Sequence, residues 1–387
     1  MYRDKSQKAL FVGIGGGNDA FSAILAARSL KRVGYEWDEY AFAGVLSPFH
    51  HHTTTEIHIP GASLVKHDSM RFLLAKDGGS RIGFVDAAIA RLLGETSEFE
   101  GAPLFGLSLK DGSIGLAQTF EVLAQIYGTI VLVDVGGDCF YQGSTDTHVL
   151  SPMFDAIVLN AFVKSRVPGM LFETGAGTDG EIDPEPLEKA IGGTSPNTYF
   201  LHPDDMSAWE KLYETYISPV RKGNTVPATI QAFKSEEPVI EREYRARAHV
   251  DKLRLYSPFT QRINTGLAKK FFLIEPSSIR NPFAIDCTNP FDWFMKTQVA
   301  LNRTNCEANH ELLYQDRKLG RFLTPSPLFE SDGRRAIVSY GIDRLIYGKT
   351  DFVWMFPDDF ESIDPDQKAW LIPSGDKLLT VTVKNKR

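Results

Sequence analysis

Short apolar runs that end in glycine or a polar turn alternate with segments of helical spacing through about residue 200. Leu10, Phe11, Val12 and Ile14 form the first run, which ends in Gly15-Gly16-Gly17. Phe21, Ile24 and Leu25 then recur at helical spacing, with Asn18 or Asp19 placed to cap the helix start. Residues 41–46 predict a second buried strand, and after a long loop Phe84, Ala87, Ala88 and Leu92 predict a helix. Another apolar run, 104–109, precedes a helix expected to be capped by Ser113 and to bury Leu116, Phe120 and Leu123. Ile130-Val131-Leu132-Val133, β-branched and bounded by Gly128 and Gly136, is the clearest strand. Ser151-Pro152 opens a helix carrying Phe154, Ile157 and Val158, Met170-Leu171-Phe172 is strand-like, and 184–191 is a short helix. Continuous apolar strands separated by amphipathic helices imply an α/β, doubly wound, mainly parallel Rossmann-like sheet covered on both faces. Such a sheet binds ligands at the carboxyl ends of its strands.

Beyond about residue 205 the rhythm changes. Helical stretches at 205–217 and 226–233 lead into a charged run, Glu241-Arg242-Glu243-Tyr244-Arg245-Ala246-Arg247, read as a solvated helix face. The remainder is richer in aromatics, proline and turns, with strand-like pieces at Lys270–Ile274, 336–340, 352–356 and 377–383. The expected division is a Rossmann-like domain over 1–205 and a second α+β lobe over 206–387 that closes a cleft or forms an interface. Phe291, Trp293 and Phe294 would serve that interface or the lobe's own core.

Composition narrows the classes. Apolar residues are 43% and charged residues 24% of 387, enough to bury a large core, so the chain is not predominantly disordered. A formal charge of −7 supplies no general attraction for nucleic acid or anionic membrane. Three cysteines, Cys139, Cys287 and Cys306, form no CxxC pair and no disulfide framework. No apolar window reaches membrane-spanning length and the N-terminus lacks a signal-peptide pattern, so a soluble, cytoplasmic protein is expected.

Three glycine–acid loops each follow a predicted strand: Gly13-Ile14-Gly15-Gly16-Gly17-Asn18-Asp19, Asp134-Val135-Gly136-Gly137-Asp138, and Gly175-Ala176-Gly177-Thr178-Asp179-Gly180-Glu181. Glycine lets the backbone approach a ligand, and a helix start directs free N–H groups at an anion. The first loop only partly matches the dinucleotide fingerprint. Its third glycine position is Asn18, and Ser47-Pro48 stands where an acid should follow the second strand, so NAD is the less favoured cofactor. Paired acids at the end of a buried strand, Asp134 and Asp138, are costly unless protonated, paired or metal-bound, which points to Mg²⁺.

Taken together, Gly15-Gly16-Gly17 with Asp19, Asp134-x-Gly136-Gly137-Asp138 and Gly177-x-Asp179-Gly180-Glu181 resemble the domain of unknown function 1152 family over roughly residues 8–200. Ser151-Pro152 with Asp155 also looks like its pattern. The resemblance implies a Rossmann-like fold and the choice of loops, and supplies no substrate.

Other features carry less. His50-His51-His52 with Glu56, His58 and His67 has spacings that can reach a transition metal, but adjacent histidines cannot all face one centre. A single residue such as His52 touching the ligand is the better reading. Asp138 beside Cys139 opposes thiolate formation. Cys306 near His310 shows no nucleophile–base spacing, and Arg245 or Arg247 could grip a phosphate if their segment folds over the cleft.

The expected function is an enzyme that acts on a small, anionic, phosphorylated or nucleotide-like ligand by group transfer or hydrolysis. Gly15, Gly16, Gly17, Asn18 and Asp19 would hold the anionic group, directly or through Mg²⁺. Asp134 and Asp138 would orient ligand or metal, one of them as general base. Asp179 and Glu181 would form the opposite wall, with Gly136, Gly137, Gly177 and Gly180 giving room. A nonstandard NAD enzyme and a non-catalytic metabolite sensor are the alternatives, and a homo-oligomer is left open.

Overall fold

The computed structural model describes residues 8–15, 17–46, 54–66, 73–74, 81–82, 85–142, 152–220, 225–244, 259–297, 327–331, 334–340, 352–355, 369–374 and 377–382. The chain order begins β1 (Lys8–Gly13), α1 (Gly17–Arg32), β2 (Glu39–Val45), β3 (Thr54–Glu56), β4 (Ala62–Val65), β5 (Leu73–Leu74), β6 (Arg81–Ile82), α2 (Val85–Glu95) and β7 (Leu104–Leu107). It continues α3 (Gly112–Tyr127), β8 (Thr129–Val135), α4 (Pro152–Ser165), β9 (Gly169–Thr174), α5 (Pro184–Gly193), β10 (Asn197–Phe200), α6 (Pro203–Leu212) and α7 (Thr225–Lys234). Then come β11 (Val239–Tyr244), β12 (Phe259–Asn264), α8 (Thr265–Ala268), β13 (Lys270–Ile274) and α9 (Pro290–Thr297). Among the described residues no helix is long and apolar enough to cross a membrane.

Among the described residues, nine strands form the main sheet in the order β10-β13-β9-β8-β1-β2-β7-β4-β3. The central five, β9-β8-β1-β2-β7, are parallel, as the unbroken apolar runs implied. Alternation along β1 sorts side chains to two cores. Ala9 and Phe11 pack with α1, α2 and α6 on one face, whereas Leu10 and Val12 pack with α3 and α4 on the other. The chain leaves β1 toward β2 and β7, then crosses back through α3 to lay β8 on the opposite side of β1. The strand order therefore reverses between β1 and β8, the position at whose carboxyl ends open α/β sheets generally bind ligands.

Several elements differ from their sequence reading. The long loop after β2 contains the β3–β4 hairpin, which extends the sheet antiparallel to β7. Helix α3 starts at Gly112 with Asp111 in the cap position, and Ser113 lies buried in its first turn. The Ser113 hydroxyl oxygen accepts from the Cys287 N–H at 3.0 Å and from Asn160 Nδ2 at 3.1 Å, pinning a distant segment instead of capping the helix. The charged run is a strand where it is described: β11 pairs antiparallel with β12, Glu241 opposite Arg262. Oppositely charged partners across an exposed ribbon suit a strand as well as a helix face. Arg245 and Arg247 lie outside the described residues.

Several segments beyond residue 205 belong to the main core. β13 runs antiparallel between β9 and β10, and Trp293 is fully buried with its indole Nε1–H donating to the Phe283 carbonyl at 2.8 Å. Helix α6 docks on α1. Asp205 accepts two hydrogen bonds from the Arg32 guanidinium, at 2.7 and 2.9 Å, and buried Trp209 stacks on Phe21 with ring centroids 5.4 Å apart. Trp209→Ala should cost about 3–5 kcal/mol through the cavity it leaves, measurable as a lower urea midpoint at unchanged slope.

Candidate functional site

The three loops that follow β1, β8 and β9 come from adjacent strands, so the sheet order alone puts them on one rim. Side-chain geometry brings their acids together. The Asp19 carboxylate turns back across its loop and Oδ2 accepts the Gly15 N–H at 2.6 Å. Asp155, in the first turn of α4, faces the same spot: a methyl group on Gly15 would stand 2.4 Å from Asp19 Oδ2 and 3.1 Å from Asp155 Oδ1. On the other side of β8, Gly136 adopts φ +125° and lies against Asp179, whose Oδ2 would be 2.6 Å from an added Cβ. Only glycine combines that backbone with that closeness. The Gly177 N–H donates to the Gly136 carbonyl at 2.6 Å and ties the second loop to the third.

Asp134 and Glu173 occupy directly paired positions on the parallel strands β8 and β9. Both are fully buried. Like charges in such a pair repel, and among the described residues neither the Asp134 Oδ1 nor either Glu173 oxygen has a hydrogen-bond donor. As two carboxylates they have nothing to offer each other; a proton or a cation between them is required. Among the described residues, two groups of three side chains could each bring a ligand atom within 4.8 Å of the others: Asp19, Asp134 and Asp155, and Asp134, Cys139 and Glu173. Asp134 belongs to both.

The electrostatics follow from crowding acids in a desolvated space. The Glu173 carboxyl is pushed well above the ordinary carboxylate range by burial first and by the Asp134 charge and contact next. Asp138 keeps some accessible surface, yet its carboxyl is largely desolvated; that desolvation, then the charges of Asp155, Asp134, Glu181 and Asp179, raise it well above its usual value. Asp179 is pushed up to about 7 by burial and by Asp134, against the opposing pull of the N–H groups around its carboxylate. One of these is the Glu181 N–H, which Asp179 Oδ1 accepts at 3.1 Å. A carboxyl that titrates near neutrality can both take and return a proton. The Cys139 thiol is also pushed up, as the sequence suggested, but burial and the Asp134 and Glu173 charges are the leading causes, not its neighbour Asp138.

Of the residues singled out in the sequence, Asp19, Asp134, Asp138, Asp179 and Glu181 fall in this one cluster. The glycines divide. Gly136 and Gly177 shape the rim, and Gly180, at φ +77°, turns the third loop. Gly17 instead makes room for Val85 of α2, and Gly137 for Leu187 of α5, so both serve packing. The Gly15 N–H, expected to meet an anion, is held by Asp19, and the Asn18 carbonyl accepts from the Ser22 hydroxyl at 2.8 Å. Gly16, His52, the rest of the 50–52 tract, His67, Cys306 and His310 lie outside the described residues. Glu56 belongs to β3 and His58 follows it, four strands from β1 and so about 19 Å away at ordinary strand spacing.

Sequence reasoning overlooked Glu173 and gave Asp155 no role of its own. A charge at the end of the apolar stretch Met170-Leu171-Phe172 was the available signal for Glu173. A cavity of about 580 Å³ among α6, α7 and β11, lined by Tyr213, Ile230 and the Lys234–Glu210 ion pair, holds none of these acids.

No curated protein and no solved structure matches the chain. The model of the family described as protein of unknown function (DUF1152) matches residues 10–219, which contain every acid of the cluster and more than half of the sequence. The chain belongs to that family.

Proposed function

We propose that the protein is a divalent-cation-dependent enzyme that carries out group transfer or hydrolysis on a small phosphorylated or nucleotide-like ligand. The observation that carries this reading is the convergence of Asp19, Asp134 and Asp155 at the point where the strand order reverses. Carboxylates so concentrated repel a bare phosphate; a hard cation such as Mg²⁺ on their oxygens would neutralise them and draw the phosphate in. Asp179, titrating near 7, is suited to move a proton on the opposite wall. Glu181 and Asp138 flank it there. The Asp19 grip on the Gly15 N–H speaks against a dinucleotide pyrophosphate resting on that turn.

The test is conversion of a panel of nucleotides and sugar phosphates by metal-stripped protein, with and without added Mg²⁺ or Mn²⁺, followed by mass spectrometry of products. Cation-dependent turnover is expected, and Asp155→Asn should reduce it by more than about 100-fold, beyond the cost of altering an outer-sphere group. Binding without conversion by either protein would replace this reading with the sensing module.

A further inference from the structure

We propose that Asp134, Cys139 and Glu173 form a second cation site, of mixed thiolate and carboxylate character, that takes a thiophilic divalent transition metal of the Zn²⁺ class. It shares Asp134 with the site of the proposed function, and it stands or falls without reference to the substrate.

The ligand atoms of the three residues lie within 4.8 Å of one another and all three side chains are buried. Tetrahedral zinc with one sulfur and two oxygen ligands needs separations of about 3.4–3.6 Å between them, so only small adjustments are required. The second observation is independent of the clustering. Glu173 is fully buried, and among the described residues both of its oxygens lack a hydrogen-bond donor, as does Asp134 Oδ1. A buried polar group in that state is costly unless a proton shared between the acids or a bound ion satisfies it.

The scaffold holds each ligand in place. Asp134 and Glu173 are fixed opposite each other by the β8–β9 ladder. Cys139 sits in the short helical turn Asp138–Phe140, where its N–H donates to Asp134 Oδ2 at 3.3 Å and its carbonyl accepts from Asn281 Nδ2 at 2.9 Å. A position fixed from both sides of its backbone is what a rigid metal site needs. The chemistry of the set then selects the ion. One sulfur among carboxylates favours zinc-like ions over Mg²⁺ or Ca²⁺, whereas the neighbouring all-oxygen set favours the hard ions. Three protein ligands is also the number that zinc sites with an open position use. Binding exchanges the thiol proton for the metal, and the proton leaves to solvent.

Co²⁺ is the probe, because a thiolate ligand gives it an intense near-ultraviolet charge-transfer band that oxygen ligands do not. Titration of the metal-stripped full chain is expected to produce this band at one equivalent in the wild type, in Cys287→Ser and in Cys306→Ser. Cys139→Ser should abolish it while still showing a Mg²⁺-induced rise in melting temperature, which reports a folded protein with its oxygen set intact. Should Cys139→Ser fail to fold, Glu173→Gln provides the second variant, with at least a tenfold loss of Co²⁺ affinity expected. Absence of the band from the wild type would mean that a shared proton alone joins Asp134 to Glu173 and would overturn the proposal, as would a band that survives Cys139→Ser. Failure of Mg²⁺-dependent turnover with the band present would remove the proposed reaction and leave this site standing.

Discussion

Metal-stripped protein should gain about 3 °C in melting temperature when Mg²⁺ or Mn²⁺ is supplied at roughly a hundred times its dissociation constant. That follows from about 2.7 kcal/mol of linkage at that saturation and about 1.2 °C per kcal/mol in a chain of 387 residues, at about 2.1 cal/mol/K of unfolding entropy per residue. Asp134→Asn should lose the gain, because this residue belongs to both ligand sets. The variant has a second signature. Without cation, the wild type can join the buried, face-to-face Asp134 and Glu173 only through a retained proton, which becomes harder to hold as pH rises. An amide at position 134 can instead donate to an ionised Glu173. In chelator at pH 8 the variant should therefore be the more stable protein, whereas with cation the order should reverse. A variant less stable than the wild type under both conditions would make the cluster a structural network and remove the cation from the account.

The second large effect is on the pH dependence of the chelated protein. Burial and neighbouring acids raise the folded-state pKa of Asp179 to about 7 and those of Asp138 and Glu173 well above the usual range. Above about pH 4 the unfolded chain has released these protons while the native state still binds them, so stability must fall as pH rises. Each such group contributes a slope of about 1.4 kcal/mol per pH unit, which for Asp179 levels off above its own titration near pH 7. Urea denaturation between pH 5 and pH 8 in chelator should show a steady decline, shallower in Asp179→Asn. Added cation should flatten it. Stability that is constant or rising over this range would show that the acids are already ionised and compensated.

The sheet was legible in the sequence because its central strands are buried on both faces and so read as unbroken apolar runs between helices. The rim was legible for a related reason: a turn that leaves a buried strand and enters a helix needs glycine and polar residues, and in three such turns the polar residues were acids. What could not be read was which glycines lie against the acids. Gly17 and Gly137 sit in the same motifs as Gly15 and Gly136, yet they make way for Val85 and Leu187, and only tertiary packing decides that. Glu173 was hidden because its meaning depends on the register that sets it opposite Asp134, a long-range property with no local pattern. The same holds for Asp155, which reaches the site from the start of a helix on the far side of an intervening segment. The charged run after 240 misled because alternating charges are compatible with either a helix face or an exposed ribbon.

The placement of β13 bears on how the polypeptide can be divided. This strand lies along β9, with Phe272 opposite Glu173, and Phe271 stacks on Phe172 with ring centroids 4.8 Å apart. A truncated gene product that stopped at residue 219, where the family match ends, would leave the backbone of β9 as a naked flank and strip the cover from Phe172. Such a flank invites self-association, so the fragment should come out as aggregate, since β13 is an integral part of the sheet it closes.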